Sequence, residues 1–194
     1  MGMGKCFYLL GLVVSCQATW RIQTPKTSLP SVPPGHRVEE QRDRETREIL
    51  LRRVWFHDGD GLSVKDGLEE SFYPGGEPRS RRRYALGVPS GHWQTFWPNG
   101  QLRSDQQHRP DGVASELRFF HPGGELQAHG LSMGDGKRVG PWRFLRPNGS
   151  LVKEGGYLGG LENGPWSFFD ERGRLTAQGI FEAGIRVGAW DLAE

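Results

Sequence analysis

Four arginines on one short segment form a basic cluster. They are Arg79, Arg81, Arg82 and Arg83, on one predicted hairpin. Clustered arginines attract phosphate groups and anionic lipid headgroups, which makes these residues candidate contacts for an anionic glycolipid or polymer. A solvated strand face is the alternative interpretation, because the formal net charge of the whole chain is only +2.

A set of acidic residues has the spacing of a metal-binding loop. Places 1, 3, 9 and 12 of a calcium-loop template are filled by Asp58, Asp60, Asp66 and Glu69. The template fails at Leu62, where an oxygen ligand is expected, and at Ser63, where a glycine makes the sharp turn. We therefore expect an ordinary Asp-Gly turn here and no metal site.

The histidines show no spacing typical of catalysis. They are His36, His57, His92, His108, His121 and His129. The sequence has no H-E-x-x-H motif, and it also lacks G-x-S-x-G, a P-loop and a dinucleotide-binding fingerprint. We therefore expect no catalytic, cofactor-binding or metal-binding residue. An enzyme without a recognised motif is the third functional hypothesis.

Aromatic residues and glycines recur at a fixed distance along most of the chain. Successive steps of 24 residues separate Trp142, Trp166 and Trp190, and earlier places of this tryptophan column hold Glu69, Trp93 and Leu117. The turn glycines that keep the same period are Gly76, Gly100, Gly124, Gly149 and Gly173. A second column holds Tyr84, His108, Ser132, Tyr157 and Phe181. Such a period predicts units that stack on their neighbours, because no unit buries its apolar face alone.

Each period contains two glycine-bearing turns, which predicts strands rather than helices. One turn is of the type Pro147-Asn148-Gly149, and the other has the G-x-x-x-G spacing of Gly160 to Gly164. Asn-Gly between apolar runs indicates a two-residue hairpin loop with positive φ at both residues. Two turns per period leave strands of about six residues. We therefore predict an all-β fold, with one antiparallel meander of about ten strands over Gly67–Leu192.

The predicted hairpins set a register in which glycines face large side chains. The expected opposed pairs are Trp142 with Gly155, Trp166 with Gly179, Leu117 with Gly130 and, as a departure, Trp93 with Gln106. A glycine below a cross-strand ring lets the ring lie on the bare backbone. We therefore interpret the tryptophans as packing residues rather than ligand contacts. The sheet is predicted to cover its own aromatic residues in a monomer, with a weak homodimer as the alternative.

The unit resembles a known repeat. Its elements are Gly140-Pro141-Trp142-Arg143-Phe144, a turn ending in Gly149, then Leu151, Gly155 and an aromatic residue on the return strand. These features are similar to the variant MORN repeat of bacterial proteins, including proteins labelled YwqK-type antitoxins. The resemblance covers residues from about Gly67 to the C-terminus. It implies an elongated antiparallel meander and an interaction role, and it supplies no catalytic site.

The N-terminus resembles a bacterial lipoprotein signal. Lys5 precedes an apolar run, Cys6 to Val14, which is shorter than the roughly 20 residues needed to span a bilayer. Val13-Val14-Ser15-Cys16 resembles the lipoprotein cleavage box, which implies removal of residues 1–15 and lipidation of Cys16. An ordinary secretory signal and a buried strand are the alternatives.

The remaining N-terminal residues divide into a tether and a charged stretch. Residues 16–36 are rich in proline and are predicted to form a lipid-anchored tether. Residues 37–56 are predicted to form a charged helix and a first strand, and residues 57–194 the repeat domain. The helix is placed at Val38–Val54, because acids precede bases by four residues in the pairs Glu40 with Arg44, Asp43 with Arg47 and Glu48 with Arg52.

These features predict a non-catalytic, lipid-anchored protein of the bacterial cell envelope, at the outer membrane or cell surface. Its function would be that of a repeat scaffold that binds a protein or an envelope polymer. No nucleic-acid partner is expected, because an exported protein meets no cytosolic nucleic acid. The alternative is a YwqK-like antitoxin or immunity protein that masks a toxin, favoured if the export signal is false and a toxin gene adjoins.

Overall fold

The computed structural model describes residues 32–57, 60–108 and 114–192, which form one antiparallel sheet. Its thirteen strands are β1 (His36–Arg42), β2 (Ile49–His57), β3 (Ser63–Phe72), β4 (Pro78–Ala85), β5 (Val88–Phe96), β6 (Leu102–His108), β7 (Ser115–Phe120), β8 (Leu126–Ser132), β9 (Arg138–Leu145), β10 (Leu151–Leu158), β11 (Leu161–Phe169), β12 (Leu175–Glu182) and β13 (Ile185–Leu192). Neighbours in the sheet are neighbours in sequence. The predicted meander of β-hairpins over Gly67–Leu192 is confirmed.

The predicted helix at Val38–Val54 is wrong, because this stretch forms the first hairpin of the same sheet. Glu40 pairs with Arg52 on the neighbouring strand at 3.0 Å and with Arg42 at 2.6 Å, rather than with Arg44. An i,i+4 pair on an isolated helix is worth only a few tenths of a kcal/mol. Pairing with the rest of the sheet therefore outweighs it. The described part of the chain contains no helix able to cross a bilayer.

The turn between β1 and β2 forms without glycine or proline. The Asp43 carboxylate accepts hydrogen bonds from the backbone N–H groups of Glu45 and Thr46. Arg47 then adopts a φ of 62°, in the left-handed region. The aspartate side chain replaces a backbone acceptor in this turn, so the usual Gly and Pro signals of a hairpin are missing from the sequence.

The predicted two-residue loop at Asn148-Gly149 is also wrong in its turn type. The Arg146 N–H donates to the Ser150 carbonyl at 2.9 Å, and the Gly149 N–H donates to the Arg146 carbonyl at 2.8 Å. The loop therefore has three residues, and within it only Gly149 has a positive φ, of 80°. A bulge between Leu151 and Lys153 shifts the register by one residue. This shift restores the predicted alignment along the rest of the hairpin.

The predicted cross-strand pairs are confirmed. They are Trp142 with Gly155, Trp166 with Gly179, Leu117 with Gly130, and Trp93 with Gln106. Each glycine, however, also has a neighbour on its other side, and that neighbour supplies the ring. A Cβ atom at Gly155 would overlap the indole of Trp166 on the following strand, and one at Gly130 would overlap Trp142. Trp190 covers Gly179 in the same way. The expected hairpin partner was therefore wrong, and the ring comes from the next strand.

The rings on this side, which we call the aromatic face, bury one another within a single layer. Trp142 and Trp166 are each 1% exposed. Tyr157 lies edge-on between them, with ring centroids 6.0 and 5.3 Å away. Their indole N–H groups donate to the carbonyls of Leu131 and Gly156, at 2.9 and 3.1 Å. Buried indoles require such a partner, so each tryptophan is fixed both by packing and by a hydrogen bond to another strand.

We predict that Gly155→Ala destabilises the sheet. Alanine normally fits a strand better than glycine does, since it costs less conformational entropy, but here its methyl group would displace the Trp166 ring. Overpacking of this kind costs about 1 to 3 kcal/mol, measurable by urea denaturation. Gly134→Ala is the matched control, because nothing lies near the methyl group that it adds. Equal stability of the two variants would contradict the proposed ring position.

Candidate binding surface

The side of the sheet opposite the aromatic rings, the polar face, carries a continuous row of polar side chains. One residue per strand contributes, each opposite the next in register, and we call this set the polar row: Glu40, Arg52, Glu70, Arg81, Gln94, Asp105, Arg118, His129, Arg143, Glu154, Ser167, Gln178 and Asp191. Directly opposed side chains of opposite charge stabilise a strand pair. The polar row therefore connects all the strands.

Most charges in the polar row are neutralised within it. Glu70 is 3% exposed and accepts from Arg81 at 3.0 Å, with Arg52 at 3.8 Å on its other side. Asp105, 5% exposed, is held by Arg118 at 2.8 Å. A buried carboxylate requires such partners, because desolvation of an unpaired charge is costly. This face consequently presents paired charges rather than a field of one sign.

A groove of about 820 Å³ opens on the polar face between β7 and β11. Leu131, Pro141 and Pro165 form its apolar walls, and Gly156 leaves a gap between the two prolines. Glu116, His129 and the Arg143–Glu154 pair, 2.9 Å apart, line the groove beside them. Its volume falls in the range of ligand-binding clefts. Apolar walls next to groups of both charge signs can receive apolar side chains together with hydrogen-bonding groups.

The structure divides the predicted arginine cluster between the two faces of the sheet. Arg81 belongs to the polar row. Arg83 is two residues further along the same strand, so it projects to the same face, where it is exposed. Arg82 projects to the aromatic face, 5.2 Å from the centre of the Trp93 ring. Arg79 lies over the Tyr73 ring at 6.0 Å. The four arginines therefore do not form one anion site.

Arg79 and Arg82 instead line a cavity with Arg103, which the sequence cluster missed. Arg103 lies one repeat after Arg79 and stacks over Trp97 at 4.8 Å. The period would have revealed it, because both arginines occupy the same place in consecutive units. A cluster defined only by adjacency in sequence does not follow the alternation of a strand.

Glu69 takes the place of tryptophan in the first unit and is 6% exposed. Lys65 lies 2.7 Å from its carboxylate, and Arg53 and Arg82 lie 3.8 Å away. Three cations thus surround one buried acid. At this end of the sheet, ion pairs therefore replace the packing of an indole.

Two acids of the calcium template, Asp66 and Glu69, form ion pairs and hydrogen bonds with other residues. Asp66 accepts hydrogen bonds from the His36 ring at 2.8 Å and from the Leu86 N–H at 3.1 Å, while Glu69 pairs with Lys65. Asp58 lies outside the described residues. Within the ranges that the structure describes, no three or more His, Cys, Asp or Glu side chains are grouped to hold a metal ion.

Histidines contribute to packing and to the polar row. His108 is 7% exposed, its ring 4.4 Å from that of Trp93, and burial lowers its pKa. His92 lies 2.9 Å from Asp105, and the His121 ring lies 3.0 Å from the Leu145 carbonyl. Cys16, the predicted lipidation site, lies outside the described residues.

A family model described as the MORN repeat variant matches residues 89–109, which include most of β5 and all of β6. This segment is therefore similar to one MORN repeat. The matched segment contains the turn glycine Gly100. The later turn glycines of the repeat prediction, Gly124, Gly149 and Gly173, also have positive φ, so a hairpin of the same kind recurs after the matched segment. Stacked repeats of this kind build extended surfaces that are suited to binding, which indicates a repeat-based binding scaffold.

No curated protein matches the chain. A crystal structure of a protein with unknown function from Bacteroides fragilis is similar at 7% identity, with a TM-score of 0.17, over 77% of this chain and 96% of that one.

We predict a pH-dependent contribution from the His36–Asp66 pair. The hydrogen bond to Asp66 raises the pKa of His36, and the same bond lowers the pKa of Asp66. The stabilisation from His36 is complete below its unfolded pKa of about 6.5 and is lost as pH rises. The stabilisation from Asp66 is present above its unfolded pKa of about 3.9 and is lost as pH falls.

Asp66→Asn should therefore lower the melting temperature more at about pH 5.5 than at about pH 8. The amide keeps the size of the side chain and its acceptor for Leu86, so the variant mainly removes the charge. The same substitution made in a His36→Gln background is the control and should lose this pH dependence. A pH dependence that persists without His36 would contradict the assignment.

Proposed function

We propose that this protein is a non-catalytic scaffold of MORN-like repeats, anchored to the bacterial cell envelope through lipid on Cys16, that binds a protein partner in the groove of its polar face. The observation that carries the proposal is the groove itself. Among the described residues nothing fills it, and its walls include Leu131, which is 40% exposed. An open apolar depression of this size on a repeat sheet is typical of an interaction site.

The chemistry of the groove favours a protein segment over a charged polymer. The lining combines Arg143 with two carboxylates, Glu116 and Glu154. A polyanion would meet these acids with no excess of cations to balance them, and like charges in contact are unfavourable. A peptide offers apolar side chains for Pro141 and Pro165 and polar backbone groups for the charged rim, so it matches both parts of the lining.

The sheet is suited to hold such a surface in shape. The groove spans strands whose register is fixed on one side by the polar row and on the other by Trp142 and Trp166. A preformed surface binds with a smaller loss of conformational entropy than a flexible one. The proline-rich tether of residues 16–36 would separate this surface from the membrane by up to about 60 Å.

The antitoxin hypothesis also assigns protein binding to the sheet, but it requires no lipid anchor. A YwqK-like antitoxin or immunity protein would mask a toxin as a protein partner, in the compartment where the toxin acts. Its distinguishing feature is therefore that binding does not depend on export or on lipid at Cys16. Cell fractionation separates the two hypotheses before any partner is identified.

Cys16→Ala should release the protein into the soluble envelope fraction or stop its processing, because the acceptor thiol for the lipid is lost. Fractionation and mass spectrometry of the mature N-terminus measure this outcome. Cys6→Ala is the matched control and should leave the mature protein membrane-bound. A Cys16→Ala protein that stays membrane-bound at the mature size would contradict lipidation, and a cytosolic wild-type protein would favour the antitoxin hypothesis.

Leu131→Asp should remove the protein partner that copurifies with the intact lipoprotein from native membranes, because it places an unpaired charge in the apolar wall. Leu161→Asp is the matched control, since Leu161 is also exposed, at 52%, but does not line the groove. Quantitative mass spectrometry compares the two eluates. Equal loss with both variants, or a copurifying polymer with no protein, would reject the groove as a protein site.

A further inference from the structure

A second concave site lies on the aromatic face, near the other end of the sheet. It is a cavity of about 270 Å³ among β2 to β6, which we call the arginine cavity. Its lining includes Arg79, Arg82 and Arg103, together with hydroxyl groups of Ser71, Ser80 and Thr95. Arginine side chains also lie over rings elsewhere on this face, so the three hydroxyl groups are what distinguish this cavity.

The repeat provides an internal comparison for this cavity. Two repeats later, a cavity of about 450 Å³ among β7 to β10 has the corresponding positions in its lining. There Ser71 is replaced by Phe119, Ser80 by Ala128, Thr95 by Phe144, Arg79 by Gln127 and Arg103 by Val152. Both hollows contain cationic side chains, but the three positions that carry hydroxyl groups in the arginine cavity carry Phe119, Ala128 and Phe144 in the later one. Packing alone does not require hydroxyl groups at these positions, because the version with apolar side chains also folds.

Hydroxyl groups in the arginine cavity form hydrogen bonds in pairs, and only one of the two hydroxyl hydrogens is donated within each pair. Ser71 and Ser80 lie 2.7 Å apart across two strands, and Thr95 and Ser104 lie 2.6 Å apart across the next two. In each pair, one hydroxyl donates to the other and the second keeps its own hydrogen. The Ser71–Ser80 pair, both of whose members line the cavity, thus offers one O–H donor to a ligand, and Thr95 offers another when Ser104 donates to it.

The arginines of the cavity are not neutralised by carboxylates. In the described residues, Arg79 and Arg103 have stacking contacts with Tyr73 and Trp97 but form no ion pair. These contacts orient the guanidinium planes while leaving their N–H groups unused. By contrast, Lys153 in the later cavity pairs with Glu162 at 2.9 Å.

The one acid in the lining does not cancel this charge. The Glu69 carboxylate already forms an ion pair with Lys65 at 2.7 Å, and Arg53 also lies 3.8 Å from it. Arg82, also 3.8 Å from Glu69, therefore shares an acid whose charge is compensated twice. The cavity as a whole has an excess of positive charge.

We propose that the arginine cavity binds a phosphate or sulfate group. Three guanidinium groups and the spare hydroxyl donors together require more acceptors than the two oxygens of a carboxylate provide, whereas a tetrahedral oxyanion presents three or four. The group is either a free anion or part of a larger molecule, such as a lipid headgroup. This proposal concerns the face opposite the groove and does not depend on the protein partner.

The test is a titration of the full chain with inorganic phosphate and sulfate at low salt, followed by calorimetry. Arg79→Gln combined with Arg103→Gln should weaken the affinity about tenfold or more, since each arginine supplies charge-assisted hydrogen bonds. The matched control combines Arg83→Gln and Arg172→Gln, which remove the same charge from exposed sites outside the cavity. Its affinity should change by less than about threefold, as expected for a purely long-range effect.

A second variant tests the hydroxyl donors without changing the charge. Thr95→Val keeps the shape of the side chain and should weaken phosphate binding several-fold, with an unchanged melting temperature as evidence of folding. Equal weakening by the cavity and control variants, or no saturable binding of either anion by the wild-type chain, would overturn the proposal. Vesicles with and without phosphatidylglycerol distinguish the sources: binding of the anionic vesicles that is lost in the Arg79/Arg103 variant indicates a headgroup, and binding of inorganic phosphate alone indicates a free anion.

Discussion

The contact of a tryptophan ring with the bare backbone of a glycine on the preceding strand is the interaction on which this sheet depends. It joins units rather than closing a hairpin: Trp142 covers Gly130 across the β8–β9 boundary, and Trp166 covers Gly155 across β10–β11. Because each ring crosses to another strand, every unit buries part of its neighbour. This explains how a single layer keeps two indoles 1% exposed, and why the period is a property of the stack rather than of one hairpin.

Both proposed sites follow from how the chain varies this arrangement. In the C-terminal units the Trp and Gly columns are regular, and on the reverse side the small residue Gly156 between prolines leaves the groove. At the N-terminal end Glu69 stands in the tryptophan column, and the hydroxyl side chains of Ser71 and Thr95 occupy places that later hold Phe119 and Phe144. Ion pairs stabilise the sheet there. Repetition therefore maintains the fold, while departures from it create the surfaces with distinct chemistry.

Much of the fold could be predicted because the residue types at its turns and repeat positions favour only a few backbone conformations. Glycine at positive φ, proline and a fixed tryptophan step are together consistent with strands and not with helices.

The wrong helix prediction at Val38–Val54 has a physical cause. Acids and bases four residues apart can form ion pairs along a helix, but the same residues can also form ion pairs across neighbouring strands. The turn at Asp43 also has no glycine or proline to indicate a hairpin. The register of the strands could be predicted. The strand that supplies the ring over each glycine could not, since every glycine has one opposed residue on each of its two neighbouring strands. The arginine cavity was only half predicted, because adjacency in sequence grouped Arg81 and Arg83 with residues of the other face.

The most direct test of this account is nuclear Overhauser spectroscopy of the wild-type protein, with assignments for the glycine Hα protons and the indole rings. The account predicts strong contacts from Gly155 to the ring of Trp166 and from Gly130 to the ring of Trp142, with upfield glycine shifts from the ring currents. Contacts from Gly155 to the ring of Trp142, its hairpin partner, would contradict it. They would mean that each unit covers its own glycine and that the rings do not join one unit to the next.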